Sequence, residues 1–217
     1  LLQAGHVKAK DEADAELVIV NSCTVRQKAE EKAIGKAGNL LAEGKTVPMI
    51  IAIINNQVVH RNHPKHSDLT FDIMARELRD VVVPFVDEHY STVANAHGRA
   101  LSGLSMGGRH TMFSGMERNL DLFASFGVLS AGDPEPDKTM PTFISPPNPN
   151  EKIDYLFVGQ GTEEEKGYFN VRVKGFIDAL HAHGIKHEYY AGGRGGHDWS
   201  TWRHLLYYRF LPNLFRK

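Results

Sequence analysis

Short apolar runs alternate along the chain with longer stretches whose hydrophobic side chains recur every three to four residues. Leu17-Val18-Ile19-Val20 is β-branched and apolar and runs into Asn21-Ser22, so it predicts a buried strand ending in a loop. The Ala-rich, charged stretch from Thr24 to about Glu43 predicts a helix with Thr24 as its cap. Val47 to Ile54 is almost continuously apolar, as expected of a parallel strand covered on both faces, and Pro48 is tolerated at its start. From Leu69 to His89, Phe71, Met74, Leu78, Val82, Phe85 and Val86 fall at helical spacing, and Pro84 is expected to kink or end that helix. A strand at Arg99 to Gly103 and a helix from Met106 to about Met116 follow. Phe123 to Leu129 and Tyr155 to Val158 read as further buried strands, and the Pro-rich segment between them is long enough to shape a pocket. A helix at Tyr168 to His183, a strand at His187 to Tyr190 and a closing helix at Thr201 to Phe215 complete the pattern. Strand-helix alternation of this kind predicts an α/β fold: one domain, a mostly parallel sheet and helices on both faces.

Composition narrows the possible roles. At 217 residues and 41% hydrophobic content, the chain suits one domain, which at this size buries roughly 70% of its unfolded surface. A net charge of −1 supplies no field for nucleic acid or an anionic membrane, so neither is an expected partner. Cys23 is the single cysteine, which excludes an internal disulfide and a Cys-based metal site built from this chain alone. Lys8, Lys10, Asp11, Glu12, Asp14 and Glu16 leave no signal-peptide hydrophobic region in residues 1–16, and Val47 to Ile54 is too short to span a bilayer. A soluble protein is expected; its compartment stays open.

The chemistry centres on Gly103-Leu104-Ser105-Met106-Gly107, entered from a predicted strand and left into a predicted helix. This spacing is that of a nucleophile elbow, which lifts a serine hydroxyl out of the sheet on a sharp turn beside the next backbone N–H. A serine hydroxyl is a weak nucleophile and needs an imidazole base, itself oriented by a carboxylate; in this fold the order is Ser, acid, His. Among 12 histidines, His197 in Gly192-Gly193-Arg194-Gly195-Gly196-His197-Asp198-Trp199 stands out, since a Gly-rich turn after the last strand reaches back over the elbow. His181 and His183 fit a helix end, His89 and His97 flank a connection, and His204 fits a helix surface. His60, His63 and His66 suggest a metal, but Pro64 breaks the helix that would align them, and a solvated loop is the preferred reading. For the acid, Glu163, Glu164 and Glu165 compete in the turn after Tyr155 to Val158.

From about Gly38 onward the chain resembles the esterase family that includes feruloyl and acetylxylan esterases of carbohydrate esterase family 1 and the esterase D proteins. The resemblance is carried by Asn39-Leu40-Leu41-Ala42-Glu43-Gly44-Lys45 before Pro48-Met49-Ile50-Ile51, by Arg99 to Gly108, and by Gly196-His197-Asp198-Trp199 with Trp202 and Arg203. It implies an α/β-hydrolase fold and a serine carboxylester hydrolase that needs no metal or organic cofactor and acts on feruloyl, acetyl or other short or aromatic esters of plant polysaccharides. The family's Gly-x-x-Asp pattern selects Glu164 as the acid, with Glu in place of Asp. Residues 1–36 depart from that family: the usual leading strands and oxyanion loop are not recognisable. Instead, Ala13 to Lys32 resembles part of the N-terminal domain of radical-SAM tRNA methylthiotransferases, so the chain has the character of a hybrid. There the Cys23 position helps hold an iron–sulfur cluster, but the remaining cysteines are missing here and cluster binding does not carry over. The foreign segment is expected to fill a strand-loop-helix slot in the same sheet. The loop at Ser22, Cys23 and Thr24 would then offer a second oxyanion donor beside the Met106 amide. Trp199 is expected either to line an aromatic or sugar site or to sit in the core. An incomplete oxyanion hole would leave a weak or silent scaffold, the alternative function, and missing leading strands would leave an open sheet edge suited to a homodimer.

Overall fold

The computed structural model describes residues 16–22, 35, 38–60, 62–145, 147, 149–193 and 195–216. Six strands form one sheet: β1 (Glu16–Ser22), β2 (Met49–Asn55), β3 (Arg99–Leu104), β4 (Ser125–Leu129), β5 (Tyr155–Gln160) and β6 (Glu188–Ala191). Their order is β2-β1-β3-β4-β5-β6, and every neighbouring pair is parallel. From β1 the chain steps outward to β2, then returns to the far side of β1 and winds the other way through β3 to β6. The β1/β3 boundary is therefore the switch point of the sheet, where crevices open beyond the carboxyl ends of the strands. β1 pairs Asn21 with Gly103 of β3, so its carboxyl end lies level with the predicted elbow.

β3 and β4 are buried at every position, and strand alternation sends successive side chains into two separate cores. Leu101, Leu156 and Val158 join the core covered by α1 (His66–Glu77), α2 (Val83–His89) and α6 (Tyr168–Ala182). Ala100, Leu104 and Phe157 join the opposite core with Trp202, Leu205 and Phe210 of the C-terminal helix. This two-faced burial is the α/β architecture read from the sequence. Among the described residues no helix is long and apolar enough to cross a membrane.

Two expectations are corrected. The helix does not end at Pro84: α1 passes through a wide π-helical turn (Leu78–Val82) into α2, with Pro84 in the first turn of α2. The Val83 N–H bonds back to the Leu78 carbonyl, five residues away, and this wider turn gives the proline ring room where no N–H is needed. The closing helix starts earlier than Thr201, as α7 (Trp199–Leu205), because the Asp198 carboxylate caps it by accepting from the Ser200 and Thr201 N–H groups at 2.8 and 2.9 Å. It runs through a π turn (Leu206–Phe210) and a 3₁₀ turn (Leu211–Asn213). The Pro-rich segment folds into α4 (Pro136–Thr139) and α5 (Pro141–Ile144), and Met140, Phe143 and Ile144 are buried in the core. The helix expected from Thr24 lies mostly outside the described residues.

Candidate active site

β3 delivers Ser105 on a strained turn into α3 (Met106–His110), with φ 54° and ψ −114°. The region is costly for a residue with a side chain and marks a position that its surroundings over-determine. Those surroundings are visible: the Ser105 N–H donates to the Leu129 carbonyl at 2.9 Å, and a Cβ at Gly103 would lie 2.2 Å from the Gly107 carbonyl carbon. Only glycine at position 103 lets the strand and the helix start approach so closely. Met106 follows at the helix N-terminus, where backbone N–H groups have no intrahelical acceptor.

His197 meets the serine. The Ser105 hydroxyl donates to His197 Nε2 at 2.7 Å, and His197 Nδ1–H donates to Glu164 Oε1 at 2.6 Å. The loop carrying His197 is stitched to the acid turn, since the Glu163 N–H donates to the Gly195 carbonyl at 3.1 Å. A Cβ at Gly161 would sit 2.1 Å from that same Gly195 oxygen, so the contact between the loops depends on a missing side chain. The imidazole stacks on Phe169 with ring centres 4.0 Å apart and nearly parallel planes, and the Trp202 ring meets it edge-on at 5.0 Å.

Three glutamates compete in the sequence, and the structure brings one to the histidine. Glu164 is buried. Its second oxygen, Oε2, accepts from Ser130 Oγ at 2.7 Å and from the Gly161 N–H at 2.6 Å. Burial opposes ionisation of this carboxyl, but the hydrogen bonds from His197, Ser130 and Gly161 and the charge of His197 outweigh it and hold the pKa below the ordinary carboxylate value. Glu163 instead pairs with exposed Lys166 at 3.0 Å, and Glu165 accepts from Tyr189 Oη at 3.2 Å. Ser130 was not anticipated. It directly follows β4 with φ 49°, its N–H held by the Gly159 carbonyl at 2.7 Å, and its hydroxyl meets Glu164 from this turn.

Trp199 is not core: it is 42% exposed and packs edge-on against Trp202 at 5.2 Å, at the rim of the site. Phe169 was also missed, since a Phe at a helix start carries no sequence signal for stacking on a distant imidazole. Cys23, expected as the second oxyanion donor, lies outside the described residues. In the His60–His66 loop the His60 and His63 rings accept backbone N–H groups from Asn62 and Lys65. Among the described residues no group of three or more His, Cys, Asp or Glu could hold a metal ion.

The sheet order, the strained elbow and the linked hydroxyl, imidazole and carboxylate place the chain in the α/β-hydrolase class. Within that class it belongs to the family described as Putative esterase, whose model matches residues 37–211. Residues 1–55 match a different model, described as Uncharacterized protein family UPF0004. The curated relatives divide in the same way. An endo-1,4-beta-xylanase/feruloyl esterase of Xylanibacter ruminicola is 32% identical over 176 residues, 79% of this chain and 22% of that protein. A tRNA-2-methylthio-N(6)-dimethylallyladenosine synthase of Natranaerobius thermophilus is 39% identical over 61 residues, 28% of this chain and 14% of that one. The chain is thus a hybrid in sequence and spans less than a quarter of either relative's length. Among solved structures, a ferulic acid esterase aligns with a TM-score of 0.70 at 19% identity, covering 94% of this chain and 86% of that one. A CE1 ferulic acid esterase from Anaeromyces mucronatus, in complex with ferulic acid, aligns at 0.69 and 22%, covering 94% and 81%. These likenesses are of fold.

Proposed function

We propose that this chain is a serine carboxylester hydrolase that works through an acyl-enzyme on feruloyl, acetyl or other short or aromatic esters of plant polysaccharides. The observation that carries the reading is the continuous hydrogen-bonded path from Ser105 through His197 to Glu164. Ser105 Oγ attacks the ester carbonyl carbon while its proton passes to His197 Nε2, and Glu164 steadies the imidazolium. The negative charge on the carbonyl oxygen falls beside the Met106 N–H at the helix start. Collapse breaks the bond to the alcohol oxygen, which takes the proton from Nε2. Water, deprotonated by the same nitrogen, then releases the acid and restores the serine. No step calls for a metal or an organic cofactor. The aromatic flank of Phe169, Trp202 and Trp199 suits a planar acyl group or a sugar ring, and the names of the xylanase/feruloyl esterase relative and of the ferulic acid esterase structures point to the same substrates.

The test is turnover of methyl ferulate, acetylated xylan and aryl acetates by the wild-type protein and by Ser105→Ala. Serine-dependent release of ferulate or acetate is expected. No serine-dependent turnover of any of them would leave a silent scaffold and end the reading.

A further inference from the structure

On the helix that begins at the nucleophile, the Nε of one arginine is buried without an acceptor among the described residues. Arg109 sits one helical turn beyond Ser105, its N–H bonded to the Ser105 carbonyl at 3.1 Å. The guanidinium carbon lies 5.3 and 5.4 Å from the ring centres of Phe71 and Phe113. Nε is buried without a hydrogen-bond partner, and among the described residues no carboxylate forms an ion pair with Arg109. A second guanidinium, Arg172, is close enough to repel the first, and both this charge and burial lower the Arg109 pKa. Arg172 is held by the Tyr168 hydroxyl, at 3.1 Å from Nε and 2.6 Å from Nη2. Tyr168 immediately precedes Phe169, the ring stacked on His197. Asp133, the carboxylate whose charge acts on Arg109, already accepts from the Glu135 N–H and the Thr139 hydroxyl through Oδ1.

Two cations and one partly engaged carboxylate therefore meet between the helix that begins at the nucleophile and the helix that carries Phe169. A buried unpaired donor such as Arg109 Nε costs free energy until an acceptor arrives. Arginine's planar fork matches a carboxylate in two-point contact. We propose that Arg109 and Arg172 form a substrate subsite for a carboxylate carried by the ester, on its acyl or its alcohol side. The proposal rests on the hydrolase reading above and adds a charge preference to it.

The experiment compares two matched pairs of esters at low salt and in 0.5 M NaCl, with products separated by chromatography. Monomethyl terephthalate against methyl 4-carbamoylbenzoate places the charge on the acyl side. 4-Acetoxybenzoate against 4-acetoxybenzamide places it on the alcohol side. The expected result is that the anionic member of one pair exceeds its neutral partner about tenfold in kcat/KM. That ratio should shrink in salt and fall toward one in Arg109→Gln, with Arg109→Lys keeping part of it. Arg172→Gln supplies the same test should the Arg109 variants not fold. Neutral esters turned over without any anionic preference, or a preference unchanged in both Gln variants, would overturn the subsite while leaving the hydrolase standing. A protein silent on all four esters but active on methyl ferulate would overturn the subsite alone, and one silent on methyl ferulate as well would remove the hydrolase reading and the subsite with it.

Discussion

Replacing Ser130 separates a chemical role from a conformational one. Its hydroxyl donates to Glu164 Oε2 at 2.7 Å in a buried setting, and a hydrogen bond to a charged acceptor contributes about 1.5–3 kcal/mol. Its φ of 49° costs a residue with a Cβ roughly 1–2 kcal/mol. Ser130→Ala loses the bond and keeps the strain, so it should be destabilised by about 1.5–3 kcal/mol. Ser130→Gly loses the bond but releases the strain, and should be more stable than the Ala variant by about 1 kcal/mol. Both should lose activity alike, since each leaves Oε2 with the Gly161 N–H alone. The pH dependence has a definite sign. Glu164 has a depressed folded-state pKa, so its contribution to stability is present above the unfolded carboxylate pKa and lost as pH falls through the folded one. Removing a donor to the carboxylate raises the folded pKa, so the deficit of both variants should be full above about pH 5 and shrink in acid. Urea unfolding at pH 7 and pH 3, with kcat/KM on p-nitrophenyl acetate, measures all of this. A deficit that does not change with pH, or wild-type kcat/KM in both variants, would refute the reasoning.

The other predictions concern the rest of the site and the sheet edge. Glu164→Gln keeps the shape but cannot balance an imidazolium, so kcat/KM should fall by about 10³- to 10⁴-fold. Glu163→Gln and Glu165→Gln should stay within about twofold, because their partners are exposed surface groups; a larger loss in either than in Glu164→Gln would move the acid. Phe169→Ala removes the ring against which the imidazole stacks, and kcat should drop about tenfold through a looser base; unchanged steady-state kinetics would show that His197 is held without it. β2 is an edge strand of the described sheet, and we propose that a second copy of the chain covers it. Light scattering should then report a dimer at micromolar concentration, and a monomer throughout that range refutes it.

Features that require an unusual backbone or a periodic side chain were legible before the structure. Ser105 was found because its turn needs glycine nearby, and a missing Cβ is visible in a sequence. The strands were foreseeable because most of them are short, largely apolar runs set between helical stretches. The histidine was legible for a related reason, since few of the 12 histidines sit in a glycine-rich turn after a strand. The acid was not, because three adjacent carboxylates differ only in where a 3₁₀ turn points them, and the choice of Glu164 came from family resemblance alone. Ser130 and Phe169 act through tertiary contacts with partners 34 and 28 positions away in sequence, and no local pattern announces such contacts. The continuation of the helix past Pro84 was not legible because it depends on a π turn, and the short helices of the Pro-rich segment were not because their Met and Phe side chains find partners only in the core.

The central claim is that Ser105 is a nucleophile activated by His197, and covalent labelling tests it most directly. One equivalent of a fluorophosphonate should add to the wild-type protein, shown by intact mass and mapped to the peptide containing Ser105. The adduct should be absent in Ser105→Ala and form far more slowly in His197→Ala. A wild-type protein that stays unmodified, or carries the label on another residue, contradicts the account.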